Sequence, residues 1–400
     1  MILGENYLLV INAGSSSIKF AVYQIASNNQ LIEDCRGHLE GIGSTPAFKA
    51  MRPNGDLLAN QILAHGSYLT HKAGLEIVVS WLMEYLRKGR LLATGHRVVH
   101  GGVNYAAPVL INTEVLSDLE KLIPLAPLHQ PHNLASIRAL QGLLPGLPQV
   151  ACFDTAFHQS QPEIAQYTGL PKRFFEVGIR RYGFHGLSFE YVASVLSSFS
   201  DELVNARVII AHLGNGASLC AVRNGCSIAT TMGFSPLDGL LMGTRCGSLD
   251  PGIMLYLLRN EGLQVDELEN LLYHESGLFG VSGISSDIRP LLASNELAAK
   301  IAIELFVYRI GREIGSMAAA LGGLDALVFT GGIGENSSAI RALVCQQAAW
   351  LGIEISQELN AFSSSIISTQ SSEVSVLVIP TNENLMIAQQ AWQLLKNNST

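Results

Sequence analysis

Short apolar runs alternate along the chain with longer segments in which apolar residues recur every three or four positions. Residues 7–12 and 149–153 are runs of strand length and predict buried strands. Residues 75–87 carry apolar side chains at helical spacing ahead of the basic Lys88 and a glycine, which predicts a helix that ends there. A longer helix is predicted over 296–321. Because strands and helices alternate, the pattern predicts an α/β fold.

Two predicted hairpins resemble each other at an offset of 200 residues. The first spans residues 7–23 and the second spans 208–222, and each turns at a small-residue loop. Placing Gly14 on Gly214 also aligns an Ala-Val pair in the second strand of each hairpin. Chance explains these few matches as well as a chain built from two related halves does, so both interpretations stay open.

The composition is that of a folded chain large enough for more than one domain. The 400 residues are 48% hydrophobic and 14% charged, against about 25% charged in an average domain, which excludes an intrinsically disordered chain. The net charge is −8 without any basic run, so nucleic acid is not expected as a partner. No long apolar stretch or secretory signal is found, so neither a membrane span nor export is expected. The six cysteines form no C-x-x-C pair, which favours a reducing, cytoplasmic location.

Three small-residue turns follow predicted strands, at residues 14–17, 214–216 and 331–336. Such turns present backbone N–H groups without obstructing side chains, which suits the phosphates of a nucleotide. Any one of them alone is equally an ordinary loop. The chain has no G-x-x-x-x-G-K-[ST] motif, and no G-x-G-x-x-G motif opens a βαβ unit, which excludes a P-loop kinase and a simple dehydrogenase.

Four charged residues stand out because their surroundings are apolar. Arg97 and Arg245 lie inside apolar segments, where an arginine needs either an internal carboxylate or a bound anion as its partner. Asp154 follows a predicted strand, and Glu383 opens the last predicted helix. Each acid is explained either by capping or the helix dipole, or by ligation of Mg²⁺. The residues by themselves leave these alternatives open.

Ten short strings occur in a fixed order between residues 10 and 383. They are VINAGSSSIKF at 10–20, GHRVVHGG at 95–102, APLH at 126–129, FDTAFH at 153–158, RRYGFHG at 180–186, HLGNG at 212–216, MGTR at 242–245, SSD at 285–287, TGGIGEN at 330–336 and PTNE at 380–383. In these strings and in their order, the chain resembles the acetate kinase family of short-chain carboxylic acid kinases.

The resemblance implies a fold and an assembly. It implies two duplicated RNase H-like domains of the actin-like ATPase type, with an active-site cleft between them. Residues 1–150 are expected to form the N-terminal domain, with the C-terminal helix 384–400 packing back on it. Residues 151–383 are expected to form the nucleotide-binding domain. The resemblance also implies a homodimer.

The resemblance further implies a reaction and the residues that perform it. The reaction is reversible phosphoryl transfer between ATP and acetate, giving acetyl phosphate and ADP, with Mg²⁺ (or Mn²⁺) as cofactor. The implied catalytic residues are Asp154, His185, Arg245 and Arg97, and Arg97 also contacts the substrate carboxylate. The implied apolar substrate pocket is Val99, Leu128, Phe184 and Pro236, and the implied metal ligands are Asn12 and Glu383. The implied nucleotide-binding residues are Lys19, His212, Leu213, Gly214, Asn215, Gly216, Asp287, Ile288, Arg289, Gly331, Gly332, Ile333, Gly334 and Glu335.

Elementary chemistry agrees with these roles. A carboxylate is already ionised at neutral pH, so it needs little activation to attack the γ-phosphorus. The difficulty lies in bringing two anions together and in stabilising charge on the transferring group, which arginines, a histidine donor and Mg²⁺ supply. We therefore expect Asp154 to orient a neighbour or a metal-bound water rather than to accept a proton.

The chain departs from the family pattern beside Arg245, where Cys246 and Ser248 replace the usual serine and aspartate. The missing carboxylate either leaves Arg245 less firmly held or frees its charge, and Cys246 adds an oxidisable thiol. Three rival functions stay open. Propionate kinase uses the same chemistry in a roomier pocket, an actin- or Hsp70-like switch would need no acid pocket, and a sugar kinase would need a polar pocket.

Overall fold

The computed structural model describes residues 5–14, 16–63, 69–87 and 89–398. Ser15 of the first predicted turn and Lys88 after the first predicted helix lie outside the described residues. The strands within these ranges are β1 (Asn6–Ala13), β2 (Ser17–Ile25), β3 (Leu31–Glu40), β4 (Ala47–Met51), β5 (Leu57–Ile62), β6 (Arg90–Val98), β7 (Val109–Leu110), β8 (Gln149–Phe153), β9 (Val208–Leu213), β10 (Ala217–Arg223), β11 (Cys226–Thr230), β12 (Ala326–Thr330) and β13 (Ser375–Val378).

The α-helices of the described ranges are α1 (His71–Leu86), α2 (Thr113–Lys121), α3 (Gln130–Leu143), α4 (Glu163–Gln166), α5 (Lys172–Glu176), α6 (Gly186–Val195), α7 (Pro251–Arg259), α8 (Val265–His274), α9 (Gly277–Ser282), α10 (Ile288–Ala293), α11 (Leu297–Leu321), α12 (Gly331–Asn336), α13 (Ser338–Gln347), α14 (Gln357–Ala361) and α15 (Glu383–Asn397). Short 3₁₀ helices cover Ile123–Leu125, Ala156–Ser160, Leu196–Ser198, Asp201–Val204 and Ala349–Leu351. None of the helices in the described ranges is both long and apolar enough to cross a bilayer.

The described strands form two sheets with the same central topology. One sheet has the order β5-β4-β3-β2-β1-β6-β8-β7, and the other has the order β11-β10-β9-β12-β13. In both, an antiparallel three-stranded meander is followed by two parallel strands, so β3-β2-β1-β6-β8 matches β11-β10-β9-β12-β13. This shared order favours related halves over chance as the origin of the similar hairpins. The predicted α/β class with two duplicated RNase H-like domains is confirmed.

The hairpins match in their strands but not in register. Ala21 pairs with Val10 in the first, whereas Ala221 pairs with Ile209 in the second, one position further back. The second hairpin thus closes one residue tighter, although both turns begin at an equivalent glycine. The backbone N–H of Gly14 donates to the Ser17 carbonyl at 2.9 Å, and that of Gly214 donates to the Gly216 carbonyl at 3.0 Å.

The chain divides into two compact units, 1–156 with 382–400, and 157–381. The first boundary falls after residue 156 rather than 150, because β8 pairs in parallel with β6 and belongs to the first sheet. Asp154 directly follows β8 and lies in the first unit for the same reason. Glu383 lies there as well, because it begins α15, which packs on β1, β6 and β8.

The first sheet is covered by helices on both faces, which explains why the central part of β1 is an unbroken apolar run. Helix α15 packs so closely on β6 that the strand needs a glycine, Gly95, at the point of contact. A Cβ added to Gly95 would lie 2.6 Å from Cγ2 of Ile387. In the second unit, the 25-residue helix α11 contacts β9, β10 and β11 and ends at Gly322, which has a left-handed backbone with φ of 73°.

Candidate active site

In the first unit, three polar side chains meet where parallel strands end. Asn12 lies near the end of β1, Arg97 near the end of β6, and Asp154 directly after β8. The three strands are parallel neighbours, so their carboxyl ends share one edge of the sheet. The structure thus brings together residues that are 57 and 85 positions apart in sequence.

Arg97 and Asp154 form a two-pronged ion pair. Nε of Arg97 donates to Oδ1 of Asp154 at 2.9 Å, and Nη2 donates to Oδ2 at 2.5 Å. The Asp154 side chain is 3% exposed and that of Arg97 is 24% exposed, so Arg97 is the more accessible partner of the pair. Burial by itself lowers the pKa of Arg97, but the charge and hydrogen bonds of Asp154 outweigh burial and raise it. The arginine therefore stays charged and is held in one orientation.

Asn12 and Glu383 complete the surroundings of this guanidinium. Nη1 of Arg97 donates to Oδ1 of Asn12 at 3.3 Å, and the charge of Glu383 further raises the pKa of Arg97. Lys19 is the cross-strand partner of Asn12 in the β1–β2 hairpin, so its exposed side chain leaves the same face of the sheet. Five of the predicted site residues are thereby placed in one neighbourhood.

The donor set at this edge fits a magnesium ion. An amide oxygen from Asn12 and carboxylates from Asp154 and Glu383 are hard oxygen ligands. No group of three or more His, Cys, Asp and Glu side chains gathers as a metal site anywhere in the described ranges. That is compatible with Mg²⁺, which usually takes one or two carboxylates and completes its shell with water and phosphate oxygens.

Two predicted pocket residues lie in the first unit. Val99 follows β6 and is buried, and its backbone N–H donates to Oδ1 of Asn133 at 3.0 Å. The amide nitrogen of Asn133 donates in turn to the Ala13 carbonyl at 2.8 Å. Asn133 therefore ties the segment after β6 to the end of β1, a role that sequence reasoning missed. Leu128 is half-buried in the turn that precedes α3.

In the second unit, His185 and Arg245 meet at Gly216. A Cβ added to Gly216 would lie 3.2 Å from Nε2 of His185 and 3.8 Å from Nη1 of Arg245. His185 has a left-handed backbone with φ of 58°, and its Nδ1 is 2.8 Å from Oγ of Ser218. Nη1 of Arg245 donates to the carbonyl of Pro236 at 2.9 Å. Two cationic or hydrogen-bonding groups thus converge beside the second small-residue turn.

The two remaining pocket residues lie in this unit. Phe184 is buried, and its carbonyl is 2.9 Å from Nε2 of the buried His158. Pro236 is buried and holds Arg245 through its carbonyl. The four predicted pocket residues are therefore divided, with two in each unit.

A chain of contacts joins His185 to the third turn. The rings of His185 and His212 stack with centroids 4.4 Å apart, and Nδ1 of His212 is 2.8 Å from Oγ of Ser188. That hydroxyl donates to Oγ1 of Thr381. The backbone N–H of Thr381 donates to Oε1 of Glu335 at 3.1 Å, and the same oxygen accepts from Gly331 N–H at 2.9 Å. Oε1 of Glu335 therefore holds two backbone N–H groups, and its nucleotide contact stays a prediction.

A cleft of about 1060 Å³ opens within the second unit. Seven predicted nucleotide-binding residues line it, namely Gly214, Asn215, Asp287, Ile288, Arg289, Gly332 and Ile333. The other predicted residues of this unit are not part of its lining. Leu213 is buried in β9, and Gly331, with φ of 77°, approaches the Leu213 carbonyl so closely that a Cβ would lie 2.8 Å from it. Gly334 is likewise buried.

Sequence reasoning missed the rest of the cleft lining, which is Ser286, Leu292, Ala293, Asn336, Ser337, Ser338 and Ala339. Most of these directly continue predicted motifs, so extending each motif along its helix would have found them. At the cleft, the guanidinium of Arg289 lowers the pKa of Asp287 to about 2. Gly243 N–H donates to the Asn215 carbonyl at 3.1 Å, which joins the loop of Arg245 to the cleft.

The structure shows the surroundings of Cys246 and Ser248, the two residues beside Arg245 that differ from the family pattern. Oγ of Ser248 donates to Oδ1 of Asp238 at 2.8 Å, and Asp238 also accepts from Arg181 at 2.9 Å. A carboxylate is thus present near this loop, but it is supplied by Asp238 and bound to Arg181. The Cys246 thiol has its pKa raised by burial, which disfavours the reactive thiolate.

Comparison with known proteins defines the family. The family model described as "Acetokinase family" matches residues 7–389. The chain belongs to the acetokinase family. It is 53% identical over 396 residues to the acetate kinase of Rhodopseudomonas palustris (strain ATCC BAA-98 / CGA009), covering 98% of each chain. It is 48% identical to the acetate kinase of Nitrobacter hamburgensis, covering 98% of this chain and 97% of that one.

Solved structures of the acetokinase type share the fold. A propionate kinase from Francisella tularensis has a TM-score of 0.88 at 40% identity, covering 97% of this chain and 99% of its own. The Porphyromonas gingivalis acetate kinase has a TM-score of 0.86 at 37% identity, covering 98% and 100%. Membership of the family makes this chain a phosphotransferase with a carboxyl group as acceptor, and the family expected from the ten strings is confirmed.

Proposed function

We propose that this acetokinase transfers the γ-phosphoryl group of ATP reversibly to acetate, forming acetyl phosphate and ADP by direct in-line displacement. The observation that carries the proposal is Arg97, whose side chain is 24% exposed and is held by the buried Asp154, two residues before the buried, apolar Val99. A fixed, permanently charged fork next to a small apolar side chain suits a short carboxylate. In this proposal Arg97 binds the carboxylate, and Val99, Leu128, Phe184 and Pro236 enclose the alkyl group.

Acetate is the proposed substrate, and propionate is the alternative. The curated relatives at 53% and 48% identity are named acetate kinase, which supports acetate. A solved structure at 40% identity is named propionate kinase, so the related acid is a specific second candidate. The two acids differ by one methylene, for which an apolar pocket discriminates about 10–200-fold.

The nucleotide is proposed to occupy the cleft of the second unit, against Gly214, Asn215, 287–289 and 331–333, with Lys19, His212 and Gly216 near the phosphates. Asn12 and Glu383 would hold Mg²⁺, with Mn²⁺ as a substitute, and Asp154 would contact it at most through water. When bound, the ion neutralises charge on the phosphate oxygens. The oxygen donor set of these three residues supports that assignment.

The chemical step requires stabilisation of charge rather than proton removal. The acid is already ionised, so no residue has to act as a general base. Arg245 and His185 are proposed to donate hydrogen bonds to the equatorial oxygens of the transferring group. Their convergence on Gly216, which lacks a side chain, supports this role. Asp154 is proposed to orient Arg97, as its two-pronged contact suggests.

Two further properties are proposed from family membership. The enzyme is expected in the cytoplasm, and it is expected to be a homodimer. Size-exclusion chromatography with light scattering measures the second directly, and a molar mass near 43 kDa would contradict it.

The hydroxamate assay for acyl phosphate tests the proposed function. Purified enzyme with ATP and Mg²⁺ is expected to form acyl phosphate from acetate with a higher kcat/KM than from butyrate. Arg245→Ala is expected to lower kcat by about 100- to 1000-fold, since it removes a donor to the transition state, while nucleotide binding persists. Arg207→Ala is the matched control, because Arg207 pairs with Asp325 and does not line the cleft. Normal turnover of Arg245→Ala would contradict the assignment, and equal kcat/KM for acetate and butyrate would contradict the small pocket.

A further inference from the structure

Arg341 is a fully buried arginine whose guanidinium makes all its contacts with neutral oxygens. It lies in the first turn of α13, and its side chain is 0% exposed. Each of its five N–H donors is used, and in the part of the chain that the structure describes no carboxylate pairs with it. Burying such a charge is costly unless the geometry of its partners is nearly complete. A residue of this kind needs an explanation beyond general stability.

The partners of Arg341 lie in two segments. One is the segment 332–339, most of which lines the cleft, and the other is the end of α14 with the residues that follow it. Nη1 donates to the carbonyls of Gly334 and Glu335 at 2.9 and 2.8 Å. Nε donates to Oδ1 of Asn360 at 2.8 Å, and Nη2 donates to the Asn360 carbonyl at 2.7 Å and to Oγ of Ser363 at 3.0 Å. The guanidinium therefore fastens the last carbonyls of α12 to the end of α14.

Asn360, a partner of Arg341, also contacts the segment 332–339 directly. It is 2% exposed, and its Nδ2 donates to the carbonyl of Ser338 at 2.9 Å. The carbonyls of residues 334, 335 and 338 thus all accept hydrogen bonds from the buried side chains of Arg341 and Asn360. Residues 332–333 and 336–339 lie on the same stretch of chain and line the cleft. The three accepting carbonyls and the cleft-lining residues thus lie within the same eight consecutive residues, 332–339.

We propose that Arg341 and Asn360 are a pair of positioning residues that fix the cleft wall at residues 332–339 in the shape that receives the nucleotide. This inference rests on the proposed nucleotide site. In this proposal neither Arg341 nor Asn360 contacts a substrate. Its consequence is specific: loosening the pair weakens nucleotide binding and leaves Arg97, which lies in the other unit, untouched.

The choice of arginine follows from geometry. Five donors in one plane are needed to reach two carbonyls on one side and an amide oxygen, a carbonyl and a hydroxyl on the other, and a lysine ammonium has three donors on one atom. Carbonyls at helix ends carry partial negative charge, which compensates the buried cation without a carboxylate. Ser363 has a left-handed backbone with φ of 49°, so the far end of the connection is itself held in an uncommon conformation.

The test compares Arg341→Lys and Asn360→Asp with the control Arg207→Lys. Asn360→Asp keeps an acceptor for Arg341 but removes the donor to the Ser338 carbonyl. We expect KM for ATP and the Kd for ADP to rise about 10- to 100-fold in both variants, since small displacements of a positioning wall are costly. KM for acetate is expected to stay within about twofold, which marks loss of nucleotide binding alone. The control is expected to change neither constant.

The measurements separate the possible failures. A lower melting temperature with both KM values unchanged would mean a purely structural role and would overturn the proposal. Ser363→Ala, an exposed position that removes only one acceptor, keeps the test open if the buried variants fail to fold, and is expected to raise KM for ATP by a smaller factor. Ala339→Trp tests the nucleotide site itself. If it leaves the Kd for ADP unchanged, the proposed site is wrong, whereas loss of ADP binding in Ala339→Trp with normal binding in the pair variants overturns the positioning role alone.

Discussion

We expect three buried histidines to make the stability of this enzyme fall steeply in mild acid. His96, His100 and His158 are each at most 2% exposed, and burial lowers the pKa of each to about 4. In the unfolded chain a histidine has a pKa near 6.5. Nδ1 of His100 accepts from the N–H of Gly102 at 2.9 Å, so protonation there would also replace an attraction with a repulsion.

The magnitude follows from the two pKa values of each ring. Because the folded pKa is depressed, the contribution to stability is fully present above about pH 6.5 and is lost as pH falls towards 4. At about pH 5, each ring that stays neutral while its unfolded counterpart is protonated costs the folded state about 2 kcal/mol. The three together cost about 6 kcal/mol, which is comparable to the whole stability of many domains.

The assay is urea unfolding followed by circular dichroism at a series of pH values between about 5 and 7.5. His96→Gln removes one titrating ring and keeps a donor for Oε1 of Gln149, which His96 contacts at 2.7 Å. The pH slope of the free energy of unfolding is expected to fall by about 1.4 kcal/mol per pH unit in this variant. His38→Gln is the matched control, because that ring is 34% exposed, and the slope is expected to change less in it than in His96→Gln.

Two results would refute this reasoning. One is a wild-type free energy of unfolding that stays constant down to about pH 5, since three neutral buried rings require a decrease. The other is an equal loss of slope in His96→Gln and His38→Gln, since burial would then not be the cause. Histidine side-chain NMR provides an independent check, because the His96 resonances are expected to show no protonation near pH 6.

Three other substitutions have consequences that the structure specifies. Gly95→Val drives a Cβ into Ile387, so we expect the free energy of unfolding to fall by about 1–3 kcal/mol in urea titrations. Gly331→Ala forces a side chain onto a backbone with φ of 77° and against the main chain of β9. KM for ATP is expected to rise with KM for acetate unchanged, and a KM for ATP equal to that of the wild type would contradict this. Asp154→Asn leaves Arg97 without its charged partner; acyl phosphate formation is expected to fall about 100-fold or more and thermal stability to drop, whereas retained turnover would show that the pair does not matter.

Local pattern predicted the parts of the fold that are apolar on both faces. The runs at 149–153 and 208–213 match β8 and β9 residue for residue, because strands covered on both faces are nearly continuous apolar runs. Strand β3 (Leu31–Glu40) was not predicted. It carries five acidic and basic side chains among ten residues, and its strand conformation depends on pairing with β2 and β4.

The same division holds for the candidate site. The residue types of Arg97 and Asp154 were conspicuous in the sequence, but either residue had several explanations. The parallel register of β6 and β8 decided between them, since it places the two side chains in contact and makes Asp154 the partner of Arg97. For Glu335 the resemblance implies a nucleotide contact, and the structure adds two backbone N–H groups as partners of its carboxylate, which the sequence did not indicate.

The sequence by itself determined the family, the reaction class and the position of several strands and helices, because these depend on local periodicity and on short ordered strings. The tertiary structure alone decided which distant residues share a contact. Arg341 and Asn360 are 19 residues apart, and the sequence of neither segment predicts a contact with the other. Such pairs arise from strand register and from helices packed end to end, which depend on the whole chain rather than on any one segment of it.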